Sequence, residues 1–204
     1  MAKQEHPPIE WLRKAISYDA ETGVLTWAPR GSSDGPGYRC FNGKLAGKQV
    51  GSPESSTAAK CYRKSGIRMP GGGVFYGRAH VLAWLIAVGP VPAGMVIDHR
   101  DGDRANNRLS NLRVCTQREN TWNTGLRASN RSGVSGVSFR DETGKWRARI
   151  AVAGNEVLIG NYLTKEEAIS ARLAAEAEYY GEYAPSARIC VSQDRVYPST
   201  TEPQ

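Results

Sequence analysis

The stretch from Met95 to Asn123, MVIDHRDGDRANNRLSNLRVCTQRENTWN, constrains this chain more than any other. Met95, Val96 and Ile97 read as a short apolar strand that ends abruptly in Asp98 and His99. The residues RDGDRANNRL that follow are polar and turn-forming, which confines them to a surface loop. Asn111 to Val114 reads as the return strand. Thr116-Gln117-Arg118-Glu119 is a capping box, with Thr116 at N-cap and Glu119 at N3, so a helix starts there and carries Asn120 in its first turns. The unit is strand, loop, strand, helix, with polar groups at both ends.

Such a unit can support metal-assisted phosphodiester hydrolysis. A hard divalent cation takes oxygen ligands, and Asp98 and Asn120 offer a carboxylate and an amide carbonyl. A neutral imidazole beside them, His99, could deprotonate an attacking water, because its ordinary pKa lies near neutrality. On the residues alone, an Asp-His pair is weak evidence, since such pairs are more often a loop carboxylate beside a surface histidine.

Composition narrows the classes. With 204 residues the chain has room for one medium domain or two to three small ones. Its 40% hydrophobic and 23% charged residues exclude a disordered or fibrous chain. The longest uncharged stretch, Val81 to Ile97, is broken by Gly89, Pro90, Pro92 and Gly94, so no membrane span is expected. The start, MAKQEHPPIEWL, has no apolar core of a signal peptide. Cys40, Cys61, Cys115 and Cys190 are scattered, with no C-x-x-C pair, and read as reduced thiols of a cytoplasmic protein. The net charge of +7 is compatible with a polyanionic partner.

That charge is uneven. Residues 27–70 carry eight basic and two acidic groups in a Gly/Ser/Lys-rich stretch with little periodicity. It either tracks DNA phosphates or is a solvated loop. Before it, Ile9, Leu12, Ala15 and Ile16 share a helical face after Pro7-Pro8. Tyr18 and Val24 to Trp27 flank the turn DAETG as a hairpin. Both read as a small structural subdomain. His80 opens the apolar helix VLAWLIAV and reads as a core histidine outside the site.

After the polar joint TGLRASNRSG the pattern turns to β. VSGVSFR and KWRARIAV flank the turn DETGK, and EVLIGNY follows as a third strand. Lys145, Arg147 and Arg149 share one face of the second strand, Trp146, Ala148, Ile150 and Val152 the other. Thr164 to Glu167 is a second capping box, opening a helix to about residue 180 with an alanine stripe at Ala168, Ala171 and Ala175. Its acids, Glu166, Glu167, Glu176 and Glu178, argue against that helix facing DNA. A cationic sheet face can enter a major groove or simply be solvated.

The central run resembles the HNH nuclease family, closest to phage and intron-encoded homing endonucleases. The residues that carry the likeness are Asp98-His99, Asp101-Gly102-Asp103, Asn106-Asn107-Arg108, Asn111-Leu112-Arg113 and Glu119-Asn120. YDAETGVLTW, FNGKLAGKQVGS and RAHVLAWLIAVGPVPAGMVIDH extend it over roughly residues 9–125. The resemblance implies His99 as general base, Asp98 and Asn120 as ligands of Mg²⁺ or Mn²⁺, and Asn111 bracing the loop and holding the His99 ring through a backbone contact. It implies products with 5′-phosphate and 3′-hydroxyl ends, with nicking and double-strand cutting both open. Arg108 and Arg113 are assigned to DNA.

The C-terminal stretch, SGVSGVSFRDETGKWRARIAVAGNEVLIGNYLTKEEAISARLAAEAEYYGEYAP, resembles the plant Apetala-two/ethylene-response-factor DNA-binding domain, which reads the major groove with its sheet. Arg140 matches a base-contacting arginine of that family and Trp146 a core aromatic. Ser135, Ser138, Arg149 and Leu158 depart from its pattern, so the docking mode carries over and the target sequence does not. Arg140, Lys145, Arg147 and Arg149 are the DNA-binding set.

The expectation is an α+β chain with a ββα-metal HNH core and a three-stranded antiparallel sheet on one helix. Its segments are an accessory region at 1–75, the core at 76–125, a linker at 126–133, the DNA-binding domain at 134–184 and a disordered tail at 185–204. The expected function is that of a phage-encoded, homing-like, monomeric DNA endonuclease acting on double-stranded DNA in the host cytoplasm. The rivals are an inactive DNA-binding regulator and an HNH accessory of phage DNA packaging. The intact Asp98, His99, Asn111 and Asn120 weigh against the first, the C-terminal reader against the second.

Overall fold

The computed structural model describes residues 6–35, 37–54, 61–69, 72–123, 126 and 130–185. The tail from 186, Cys190 with it, and residues 124–125 and 127–129 of the polar joint lie outside them. The chain is α+β, built from antiparallel sheets and short helices, and divides into two compact units at residues 117/118.

In the first unit, α1 (Ile9–Ala15) runs directly into β1 (Ile16–Tyr18), which pairs with β2 (Leu25–Trp27). The basic stretch expected to be aperiodic contains α2 (Tyr38–Lys44), β3 (Ser52–Pro53) and β4 (Arg63–Arg68). The reason is tertiary: Phe41 of α2 packs edge-on against Trp27, ring centroids 5.7 Å apart, a contact that no local period announces. β3, β4 and β5 (Val74–Arg78) form one sheet in that order.

β5 leads into α3 (Ala79–Ala87), the hub of this unit. Its buried residues, Ala79, His80, Leu82, Ala83 and Leu85, cover most of its circumference, as expected of a helix wrapped by its neighbours. One apolar cluster joins Leu12, Ile16, Leu25, Ile67, Phe75, Leu82, Leu85, Ile97 and Leu112, so the N-terminal elements and the β6–β7 hairpin share a hydrophobic interior. Burying Leu82 fully contributes about 1.5–3 kcal/mol by area alone. Ile97 and Leu112 tie in the hairpin of β6 (Met95–His99) and β7 (Leu112–Thr116).

α4 (Gln117–Trp122) follows β7, and its residues from 118 onward belong to the second unit. There β8 (Val137–Arg140), β9 (Lys145–Val152) and β10 (Asn155–Tyr162) form an antiparallel sheet in the order β10-β9-β8. α5 (Lys165–Tyr180) packs on all three strands. It opens on the expected capping box: Thr164 Oγ1 accepts from the Glu167 amide at 3.3 Å, and the Thr164 amide donates to Glu167 Oε2 at 3.2 Å. Ala148 and Ile150 of β9 meet Ala168 and Ala175 in two apolar clusters. Trp122 stacks on Tyr180 at 4.4 Å, closing one end. Glu176 is 2% exposed, and Arg172, one turn earlier and 4% exposed, pairs with it at 3.0 Å.

Candidate active site

In the β6–β7 hairpin Asp98 stands opposite Arg113 and His99 opposite Leu112. Because Ile97 and Leu112 are anchored in the core, the polar end of β6 is carried inward, leaving Asp98 8% and His99 2% exposed. A buried carboxylate needs a partner, and the strand register supplies one. Nε and Nη2 of Arg113 both donate to Asp98 Oδ2, at 3.1 and 2.9 Å.

The loop after His99 is wired by its own side chains. Asp101 Oδ1 accepts from the Asp103 amide at 2.8 Å, and Asp103 Oδ1 from the Ala105 amide at 3.0 Å. Asn106 Nδ2 donates to Asp101 Oδ2 at 2.7 Å. Asn111 closes the loop: its Nδ2 donates to Asp101 Oδ1 and to the Asn106 carbonyl, and its Oδ1 accepts from the Asp101 amide. Gly102 turns the chain at φ +70°, a left-handed conformation that glycine adopts without strain. The alternation of Asp and Asn through this stretch is thus a set of turns, each side chain replacing a strand partner that the backbone lacks.

His99 is held at Nε2, 3.1 Å from Oδ1 of Asn107, itself 4% exposed. Its ring packs edge-on against His80, centroids 4.8 Å apart, and lies 5.8 Å from Tyr62. Tyr62 is 5.0 Å from His80 and carries the guanidinium of Arg78 at 4.2 Å and that of Arg104 at 5.1 Å over its ring. Burial lowers the pKa of His99; the Asn107 acceptor and the carboxylates of Asp101, Asp98 and Asp103 pull the other way and lose. His80 is pushed down to about 3, by burial first and then by His99 and Arg78. Both rings are therefore neutral near pH 7. This places a neutral imidazole, held at Nε2 by Asn107, next in sequence to a carboxylate held by a guanidinium, at the mouth of a polar loop.

A family model for HNH endonucleases matches residues 78–121, which span α3, the hairpin, the loop and most of α4. Protein 3.8 of Escherichia phage T7 is 34% identical over 109 residues, covering 52% of this chain and 88% of that protein. The chain belongs to the HNH endonuclease family. An uncharacterized HNH endonuclease of Acanthamoeba polyphaga mimivirus is 31% identical over 105 residues, 52% of this chain and 54% of that protein. A solved structure, DNA binding and cleavage by the HNH homing endonuclease I-HmuI, aligns over 82% of each chain with 21% identity and a TM-score of 0.38.

Within the HNH unit, Asp98, His99 and Asn111 converge on the loop, while Asn120 is half-buried on α4, in the second unit. Arg108 is exposed, its Nε donating to the Glu21 carbonyl at 2.7 Å. Arg113 corrects an expectation. Assigned above to DNA, it is 5% exposed and committed to Asp98, because the register sets it directly across the hairpin. Writing that register out from the loop would have exposed the opposite charges facing each other. His80 is the core histidine expected, and it also forms the wall behind His99. Tyr62, Arg78 and Arg104 were not foreseen, and nothing local in the sequence marks them.

In the second unit Arg140 stands opposite Lys145. Arg147 lies between Ser138 and Asn161, its Nε 3.3 Å from Asn161 Oδ1, and Arg149 pairs with Glu156. These four cations occupy the sheet face opposite to the one that carries Ala148 and Ile150 to α5.

Proposed function

We propose that this HNH protein is a homing-like DNA endonuclease that hydrolyses phosphodiester bonds in double-stranded DNA with one divalent cation, Mg²⁺ or Mn²⁺, and His99 as general base. The observation that carries the reading is His99 itself: a buried, neutral imidazole pinned at Nε2 by Asn107 and adjoining an arginine-held carboxylate.

The donors suit such a cation. Among the described residues no three His, Cys, Asp or Glu side chains gather into a cage, so protein ligands alone would leave the coordination incomplete. Magnesium tolerates this, because it keeps waters and takes phosphate oxygens beside one or two protein oxygens. Asp98 and Asn120 would hold it, and when bound it neutralises charge developing on the phosphate and the leaving oxygen. Arg113 holds the Asp98 carboxylate in place through two hydrogen bonds. His99 accepts a proton from water, the hydroxide oxygen bonds to phosphorus, and the P–O3′ bond breaks. The products are a 5′-phosphate and a 3′-oxygen that takes up a proton.

In this reading Arg140, Lys145, Arg147 and Arg149 dock an Apetala-two-like sheet on the major groove, and Arg108 touches a phosphate. The alternating strand, with cations on one face and α5 on the other, supports it.

Supercoiled DNA containing the flanking sequence of the protein's own gene is incubated with wild type or His99→Ala, with Mg²⁺ or with EDTA. Relaxation or linearisation by wild type with metal alone supports the reading, and the product form separates nicking from double-strand cutting. Equal cutting by His99→Ala refutes the general base. DNA binding without cutting by either protein turns the reading toward a regulator.

A further inference from the structure

We propose that Asn107 is a positioning residue that selects the tautomer of His99, and that the N-terminal hairpin holds Asn107 in place. This rests on the reading of His99 as general base. Asn107 Nδ2 donates to the Ala105 carbonyl at 3.3 Å, an oxygen that only accepts. The amide orientation is thereby set, and Oδ1 is the atom that meets His99 Nε2 at 3.1 Å. An amide oxygen also only accepts, so Nε2 carries the proton. In a neutral imidazole the lone pair is then on Nδ1, and Nδ1 is the atom that takes the proton from water. The amide of Asn107 does for this histidine what a carboxylate does in a serine hydrolase triad, without adding charge.

The support for Asn107 comes from far away in sequence. Tyr18, at the end of β1, donates its hydroxyl to the Asn107 carbonyl at 2.8 Å across 89 residues. Burial pushes the Tyr18 phenol up to about 12, so this donor keeps its proton through the working range. The Leu109 amide donates to the Ala20 carbonyl at 3.1 Å, and Arg108 Nε to that of Glu21 at 2.7 Å. Gly23, at φ +75°, brings bare backbone against the loop. A Cβ there would lie 2.5 Å from the Arg108 nitrogen and 2.6 Å from the Asn107 carbonyl carbon. The turn is rigid, since Asp19 accepts from the amides of Glu21 and Thr22 and from the Thr22 hydroxyl. A turn that reads as mere structure is therefore the abutment of the loop that carries Asn107.

The test uses the full chain with ¹⁵N-labelled histidine, read by long-range proton–nitrogen spectra at neutral pH and assigned with His99→Ala. Wild type is expected to show His99 with Nε2 protonated, Nδ1 unprotonated, and the Nε2 proton slow to exchange. Asn107→Leu is expected to lose that slow exchange and to cut supercoiled DNA with Mg²⁺ roughly 10- to 100-fold more slowly at unchanged KM. Asn107→Asp, which keeps an acceptor, retains the tautomer and recovers most of the rate. Tyr18→Phe lowers kcat at unchanged KM with the hairpin intact, and it decides the question should Asn107→Leu not fold. A wild-type His99 protonated at Nδ1, an unchanged spectrum in Asn107→Leu, or unchanged kcat in Tyr18→Phe overturns the proposal. If His99→Ala cuts like wild type while the tautomer result holds, the general base is wrong and the positioning contact is not.

Discussion

His80 makes the first unit labile to acid by an amount that can be worked out. The ring is 5% exposed, with His99 on one side and Tyr62 close by, and its pKa falls from 6.5 to about 3. The unfolded chain takes up a proton near pH 6.5 that the folded chain refuses until about pH 3. Stability from this group is therefore complete above pH 6.5 and declines as pH falls toward 3, at about 1.4 kcal/mol per unit. Integration gives a loss of roughly 1 kcal/mol at pH 5.5 and roughly 3 kcal/mol at pH 4.5. Urea unfolding of wild type and His80→Phe at pH 7.5, 5.5 and 4.5, at fixed ionic strength, reads this directly. The phenyl ring fills the site without titrating, so its packing cost is the same at every pH. The carboxylates and His99 contribute to both proteins. The gap between the two should narrow on acidification by the amounts above. A gap that stays constant refutes the picture of a buried neutral ring, and with it the view that His99 works beside an uncharged neighbour.

Other outcomes follow from single contacts. Arg113→Ala removes the guanidinium from the buried Asp98 carboxylate and should cost about 3–5 kcal/mol in urea unfolding, unlike a typical surface arginine. Leu82→Ala opens a cavity under α3 and should cost about 2–5 kcal/mol by the same measurement. Thr164→Ala removes the cap of α5 and should cost about 1 kcal/mol. Arg147→Ala with Arg149→Ala should weaken DNA binding and make the plot of log affinity against log salt shallower by about 1.8, with the first unit's unfolding unchanged. An unchanged slope removes the sheet face from the DNA interface.

The sequence by itself determined whatever depends on near neighbours. The polar loop between two short strands, the capping box at Thr164, the alternation along Lys145 to Val152 and the apolar run after His80 are all local. Each expresses a period or a backbone hydrogen bond that must be satisfied within a few residues. The Asp98–Arg113 pair lies at the limit of that range, fifteen positions apart yet recoverable from strand register. The Arg172–Glu176 pair spans only one turn, but its burial depends on how closely α5 packs on the sheet. Only the tertiary structure could decide the surroundings of His99. His80 reaches it from α3, Tyr62 from the residue before β4, and Tyr18 supports Asn107 from the first hairpin. Those segments meet because Leu12, Ile67, Leu82 and Leu112 bury their side chains in one cluster. Hydrophobic burial is non-directional, so it dictates that the segments collapse together, while the shapes of the packed side chains dictate which polar groups then touch.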